Sequence, residues 1–195
     1  MEALPPLPQA TAFFPQFTAQ QPIELLIQEK VMSFSGDDFA ITDTFKNPVF
    51  KVQGKVMSIS GRKTFTDMQG NHLFDIQREL LHIHQTYVLN KTDGTTIMTV
   101  KKKFAFLGNK AIATFTGSDG RQVELQLKGD FFARKASITD NAQGGAVVAM
   151  IKRGLSAQEL IFGQQMYKLA VAPGADMALM VAFAICLDEM NEAGK

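Results

Sequence analysis

Few residues in this chain are spaced for chemistry, and the foremost group is Glu79 with His82 and His84. On a strand the two histidines share a face, and a His-x-His pair beside a carboxylate can bind a metal ion. His72 is the one other histidine, so a third imidazole ligand would have to come from there; two histidines on the solvent face of a strand are the plainer reading. No G-x-S-x-G elbow, P-loop, G-x-G-x-x-G or H-E-x-x-H spacing occurs. The expectation is therefore a protein that is not an enzyme, with no catalytic residue, no metal and no cofactor.

Permanent positive charge is the better candidate. In residues 96–106, Met98, Val100, Phe104 and Phe106 alternate onto one face with Lys102, leaving Thr99, Lys101 and Lys103 on the other. Lys51, Lys55, Arg62 and Lys63 belong to other strands or turns, and a curved sheet could bring some of them beside Lys101. The predicted anion-binding set is Lys51, Lys55, Lys101 and Lys103, since lysines meet phosphates as adjustable point charges. The competing reading is a solvated face that protects a sheet edge. Lys102 is anomalous: with unbroken alternation it faces inward, so either a bulge re-aims it or its stem snorkels to the end of the sheet.

Lys and Arg total 20 against 19 Asp and Glu in 195 residues, a net charge of +1. No global field points to nucleic acid, and none is expected as a partner. The single cysteine, Cys186, excludes an internal disulfide and sits in an apolar run, as a packed hydrophobe would. Glu2 and the early prolines do not resemble a signal peptide, so the expected location is cytoplasmic, peripheral to a membrane or partly nuclear, with Asn90-Lys91-Thr92 an idle sequon.

The elements that would position these side chains are mostly hairpins. From 23 to 172, short period-two segments alternate with turns built on Asp43, Asp67, Asp93, Asp119 and Asp140, where Asp, Asn and Gly supply capped bends or positive φ. Five hairpins and two flanking segments give about twelve strands, enough to close a barrel and remove its edges. Residues 177–187 carry no polar side chain at all. A helix apolar on every side is a membrane span or the centre of a core, and this one is too short to span. Asp176 is placed to cap it, while Asp188, Glu189 and Glu192 oppose the dipole at its far end, tolerable if solvated or if met by Lys or Arg on the barrel rim. Ser156-Ala157-Gln158-Glu159 fits a capping box for one short helix ending near Gly163. Residues 1–22, with Pro5, Pro6, Pro8, Pro15 and Pro22 and no basic residue, read as a disordered tail before a single domain at 23–195.

Phe39-Ala40-Ile41-Thr42-Asp43, then 48–54 (PVFKVQG) and 67–73 (DMQGNHL), resemble the N-terminal half of the LURP-one-related family. Residues 123–129 (VELQLKG), 146–151 (AVVAMI) and 171–188 (VAPGADMALMVAFAICLD) resemble its C-terminal half. The resemblance covers about residues 25–190 and implies a Tubby C-terminal-like fold: a mainly β, closed, roughly twelve-stranded antiparallel barrel around a buried hydrophobic C-terminal helix. At 163–167 (GQQMY) the chain departs from relatives that carry a charged Lys-Asp pair there. By analogy with Tubby proteins, the resemblance implies a binding module for phosphoinositide or other anionic lipid headgroups at a membrane surface. The alternative is a protein-interaction or regulatory scaffold that uses the Phe13, Phe14 and Phe17 segment as its contact. A scramblase-like role would require the terminal helix to enter a bilayer, against its length; no transmembrane segment is expected.

Overall fold

The computed structural model describes residues 3–30, 38–55, 58, 60–103, 110–130, 135–153 and 166–192. Twelve strands follow one another: β1 (Ile23–Lys30), β2 (Asp38–Asp43), β3 (Pro48–Gly54), β4 (Lys63–Asp67), β5 (His72–Glu79), β6 (Thr86–Asn90), β7 (Thr96–Lys103), β8 (Lys110–Thr116), β9 (Gln122–Asp130), β10 (Lys135–Asp140), β11 (Ala146–Arg153) and β12 (Met166–Val171). Each pairs antiparallel with its neighbours in sequence, and β1 pairs with β12, so the meander closes into a barrel. Alternation explains the closure: Lys63, Phe65 and Asp67 of β4 are buried while Thr64 and Thr66 between them are half-exposed. Closure pairs both edges of every strand and leaves none free to aggregate.

The lumen is filled by α1 (Met177–Glu192), whose residues from Ala178 to Leu187 are each at most 3% exposed. No described helix is long and apolar enough to cross a membrane. Asp176 caps α1 by accepting from the amides of Ala178 at 3.0 Å and Leu179 at 3.1 Å. Asp188 and Glu189 at the far end of α1 are met from the barrel wall. Lys63 of β4, 1% exposed, pairs with Glu189 at 2.8 Å, and the Tyr167 hydroxyl donates to buried Asp188. Cys186 is fully buried, and burial pushes its thiol far above the ordinary range.

Residues 3–22 are not a free tail, which corrects the expectation of disorder. The segment straps across the barrel end where α1 begins. Leu7 donates its amide to Pro173, Thr11 to Gly174 and Ala19 to Ala175, while Gly174 and Asp176 donate back to Ala19 and Thr11. The second carboxylate oxygen of Asp176 accepts the amides of Phe13 at 3.1 Å and Phe14 at 2.7 Å. Phe14 stacks on Phe74, and Phe17 meets Phe50 edge-on, extending an aromatic layer of Phe50, Phe65 and Phe74. Composition misleads here because the strap needs no core of its own; it borrows partners that the barrel end would otherwise leave unpaired. The expected short helix near 156–163 lies outside the described residues.

Candidate functional site

The two ends of the barrel differ in charge. At the strapped end, the hairpin turns place Asp43, Asp67, Asp93, Asp119 and Asp140 together with Asp176 on one rim. Asp43 accepts the amides of Phe45 and Asn47 and the Asn47 side chain, each at 2.8 Å, and Asp67 repeats the pattern with Gln69 and Asn71. These bonds, led by the Asn47 and Asn71 side chains, hold both carboxyls below their usual range. Backbone donation from Thr95 does the same for Asp93, and the Arg121 guanidinium does so for Asp119. The same turns carry Lys46, Lys91 and Arg121, and Asp140 and Asp176 are buried, so the rim holds both signs with carboxylates in excess.

At the opposite end, among the described residues, the exposed charges include Lys55, Lys101, Lys103, Lys135 and Lys152, with Lys168 midway along β12. The four lysines singled out from sequence do not converge. Lys51 and Lys55 belong to β3 and the residue after it, whereas Lys101 and Lys103 end β7. With β4, β5 and β6 between, the pairs lie about 19 Å apart along the sheet, four strand spacings. Arg62 and Lys63 are drawn away from any such cluster. Arg62 donates to Asp75, and Lys63 is turned inward to Glu189. Burial raises the Asp75 carboxyl, but hydrogen bonds from Arg62, Thr64 and His72 outweigh it and hold the group below its ordinary range. Lys102 is half-buried, and the β7–β8 register runs unbroken from Thr99 to Lys103. No bulge re-aims it, so its stem is covered along the wall.

A second basic row went unseen in the sequence. Lys135 lies directly opposite Lys152, and Lys152 directly opposite Lys168, so three lysines face one another across β10, β11 and β12. Opposed Cβ atoms in such pairs are about 5 Å apart, and like charges there are unfavourable. Glu24, 4.0 Å from Lys168, offsets the row at one end. Period-two reading places each lysine outward, but only the pairing register sets them side by side.

The histidine pair is not on a strand, contrary to expectation. Strand β5 ends at Glu79, and His82 and His84 lie in the connection to β6, where His82 sits 3.2 Å from Glu79. Among the described residues no group of three or more His, Cys, Asp or Glu could hold a metal ion. Instead, Leu81, His82, Ile83, His84, Thr86 and Lys101 line an open cleft of about 330 Å³ at the basic end.

The model of the LURP-one-related family matches residues 23–188, the whole run from β1 to the acidic end of α1. This chain belongs to the LURP-one-related family. It is 25% identical over 194 residues to protein LURP-one-related 15 of Arabidopsis thaliana, covering 95% of this chain and 89% of that protein. An uncharacterised Bacillus subtilis protein is 27% identical over 166 residues, covering 85% of this chain and 92% of its own length. The crystal structure of an Arabidopsis thaliana protein aligns with TM-score 0.66 at 20% identity, covering 93% of this chain and 99% of that one. That likeness carries the fold: a LURP-one-related chain closes twelve strands about one helix.

Proposed function

We propose that this LURP-one-related protein is a non-catalytic binding module that presents its lysine-bearing end to anionic phospholipid headgroups, phosphoinositides among them. The observation that carries the reading is charge segregation. Among the described residues the turn aspartates gather on one rim, together with Lys46, Lys91 and Arg121, while exposed lysines gather toward the other, where Glu79 faces His82; this bias supports a cationic surface at the second end. Each lysine held near an anionic surface contributes roughly 1 kcal/mol, and the effect fades within a Debye length. Lys101 and Lys103 share one outer face of β7 and form the nearer pair to the cleft, while Lys51 and Lys55 act as a separate contact. The scaffold alternative is weakened because Phe14 and Phe17, its supposed contact, already pack on Phe74 and Phe50.

Flotation with phosphoinositide-containing vesicles tests this reading. Wild type should co-float at low salt and be released as salt rises, and Lys101→Glu with Lys103→Glu should weaken binding at least tenfold with little change in melting temperature. Absence of wild-type binding at every salt concentration would favour the scaffold.

A further inference from the structure

The connection between β5 and β6 carries three of the most exposed large apolar side chains among the described residues. Leu80 is 56% exposed, Leu81 99% and Ile83 97%. A single exposed leucine is ordinary, but two wholly solvated aliphatic side chains flanking one histidine form a local apolar tip. The base of this tip is held. Glu79 ends the strand and pairs with His82, the Thr86 hydroxyl donates to the His84 carbonyl at 3.0 Å, and the Lys102 amide donates to the Gln85 carbonyl at 2.9 Å. Lys101 lines the cleft beneath the tip, and exposed Lys103 follows on the same face of β7.

A convex apolar tip beside permanent cations matches the layering of a bilayer surface, with acyl chains inside and phosphates outside. We propose that residues 80–84 form an insertion loop that sinks Leu81 and Ile83 into the acyl boundary of an anionic membrane while Lys101 and Lys103 meet the headgroups. This rests on the headgroup reading above and adds a hydrophobic anchor that charge alone does not supply.

The chain contains no tryptophan, so Leu81→Trp supplies a single reporter in the full-length protein. With phosphatidylcholine vesicles containing phosphatidylserine, its emission should shift to the blue and be quenched by brominated acyl chains; with phosphatidylcholine alone it should not. Leu81→Ser with Ile83→Ser, on side chains that touch no core, should lower vesicle affinity about tenfold to a hundredfold at unchanged melting temperature. Co-flotation of the Leu81→Trp protein without a blue shift would overturn insertion and leave the headgroup reading standing. Failure of wild type to co-float would overturn both. A blue shift that needs no vesicle and grows with protein concentration would assign the tip to a second copy of the chain and overturn the proposal.

Discussion

The Lys63 ammonium sits 2.8 Å from the Glu189 carboxylate at the mouth of the barrel, tying β4 to the last turn of the central helix. Both side chains are largely withdrawn from water, so removing one leaves the other charged and unpartnered by it. Lys63→Met should lower stability by about 3–5 kcal/mol, whereas Lys63→Met with Glu189→Leu should recover most of the loss. Urea unfolding of the two variants checks this. Equal losses in both would show that the loss does not come from an uncompensated Glu189 charge.

Asp176 gives the strap a pH signature. Burial pushes its carboxyl from 3.8 up to about 6, against four backbone amides that pull it down. A carboxyl whose folded pKa is raised stabilises fully below the unfolded value and loses that contribution as pH rises through the folded one. Wild type should therefore gain up to about 3 kcal/mol relative to Asp176→Asn as pH falls from about 6.5 to about 4. The carboxyls of Asp43, Asp67, Asp75, Asp93 and Asp119 have the opposite sign: their contribution is present above about 3.8 and is lost as pH falls through their lowered values. Parallel melting-temperature profiles of wild type and Asp176→Asn over that range would count against this assignment.

Two turns share one design and differ at the left-handed position. Asp43 to Asn47 and Asp67 to Asn71 make the same carboxylate bonds, but the left-handed position is Lys46 at φ 67° in the first and Gly70 at φ 85° in the second. Glycine adopts that conformation without a Cβ penalty. Lys46→Gly should raise stability by about 0.5–1 kcal/mol, read as a higher urea midpoint at unchanged slope.

The facing row Lys135, Lys152 and Lys168 should store unfavourable energy in the free protein. Lys152→Glu places a carboxylate between two ammonium groups and should stabilise by roughly 0.5–1 kcal/mol at low ionic strength, with the gain shrinking as salt is added. A destabilised variant, or one whose gain ignores salt, would show that the row is relaxed by other means.

The barrel and its central helix were legible because their signals are local. Period-two segments, Asp-Gly turns and an uninterrupted apolar run each constrain a few neighbouring residues, and closure follows once about twelve strands must hide their edges. Asp176 was likewise readable as a cap, since capping is decided within four residues. The path of residues 3–22 was not, because proline-rich composition describes the chain's own propensity and says nothing of the backbone partners at 173–176 that receive it. The same limit scattered the predicted site. Alternation put Lys101 and Lys103 outward, but their separation from Lys51 and Lys55 across β4 to β6 is a property of the barrel's circumference. Arg62 and Lys63, one residue apart, point to Asp75 on the wall and to Glu189 within the lumen. His82 and His84 became loop residues because β5 stops at Glu79, a boundary set by its pairing with Thr86 of β6 rather than by either residue's preference. What a residue is, and which face it takes, is written within a few positions of the chain; which distant residue it meets is decided by register and closure, and those exist only once every strand has found its neighbour.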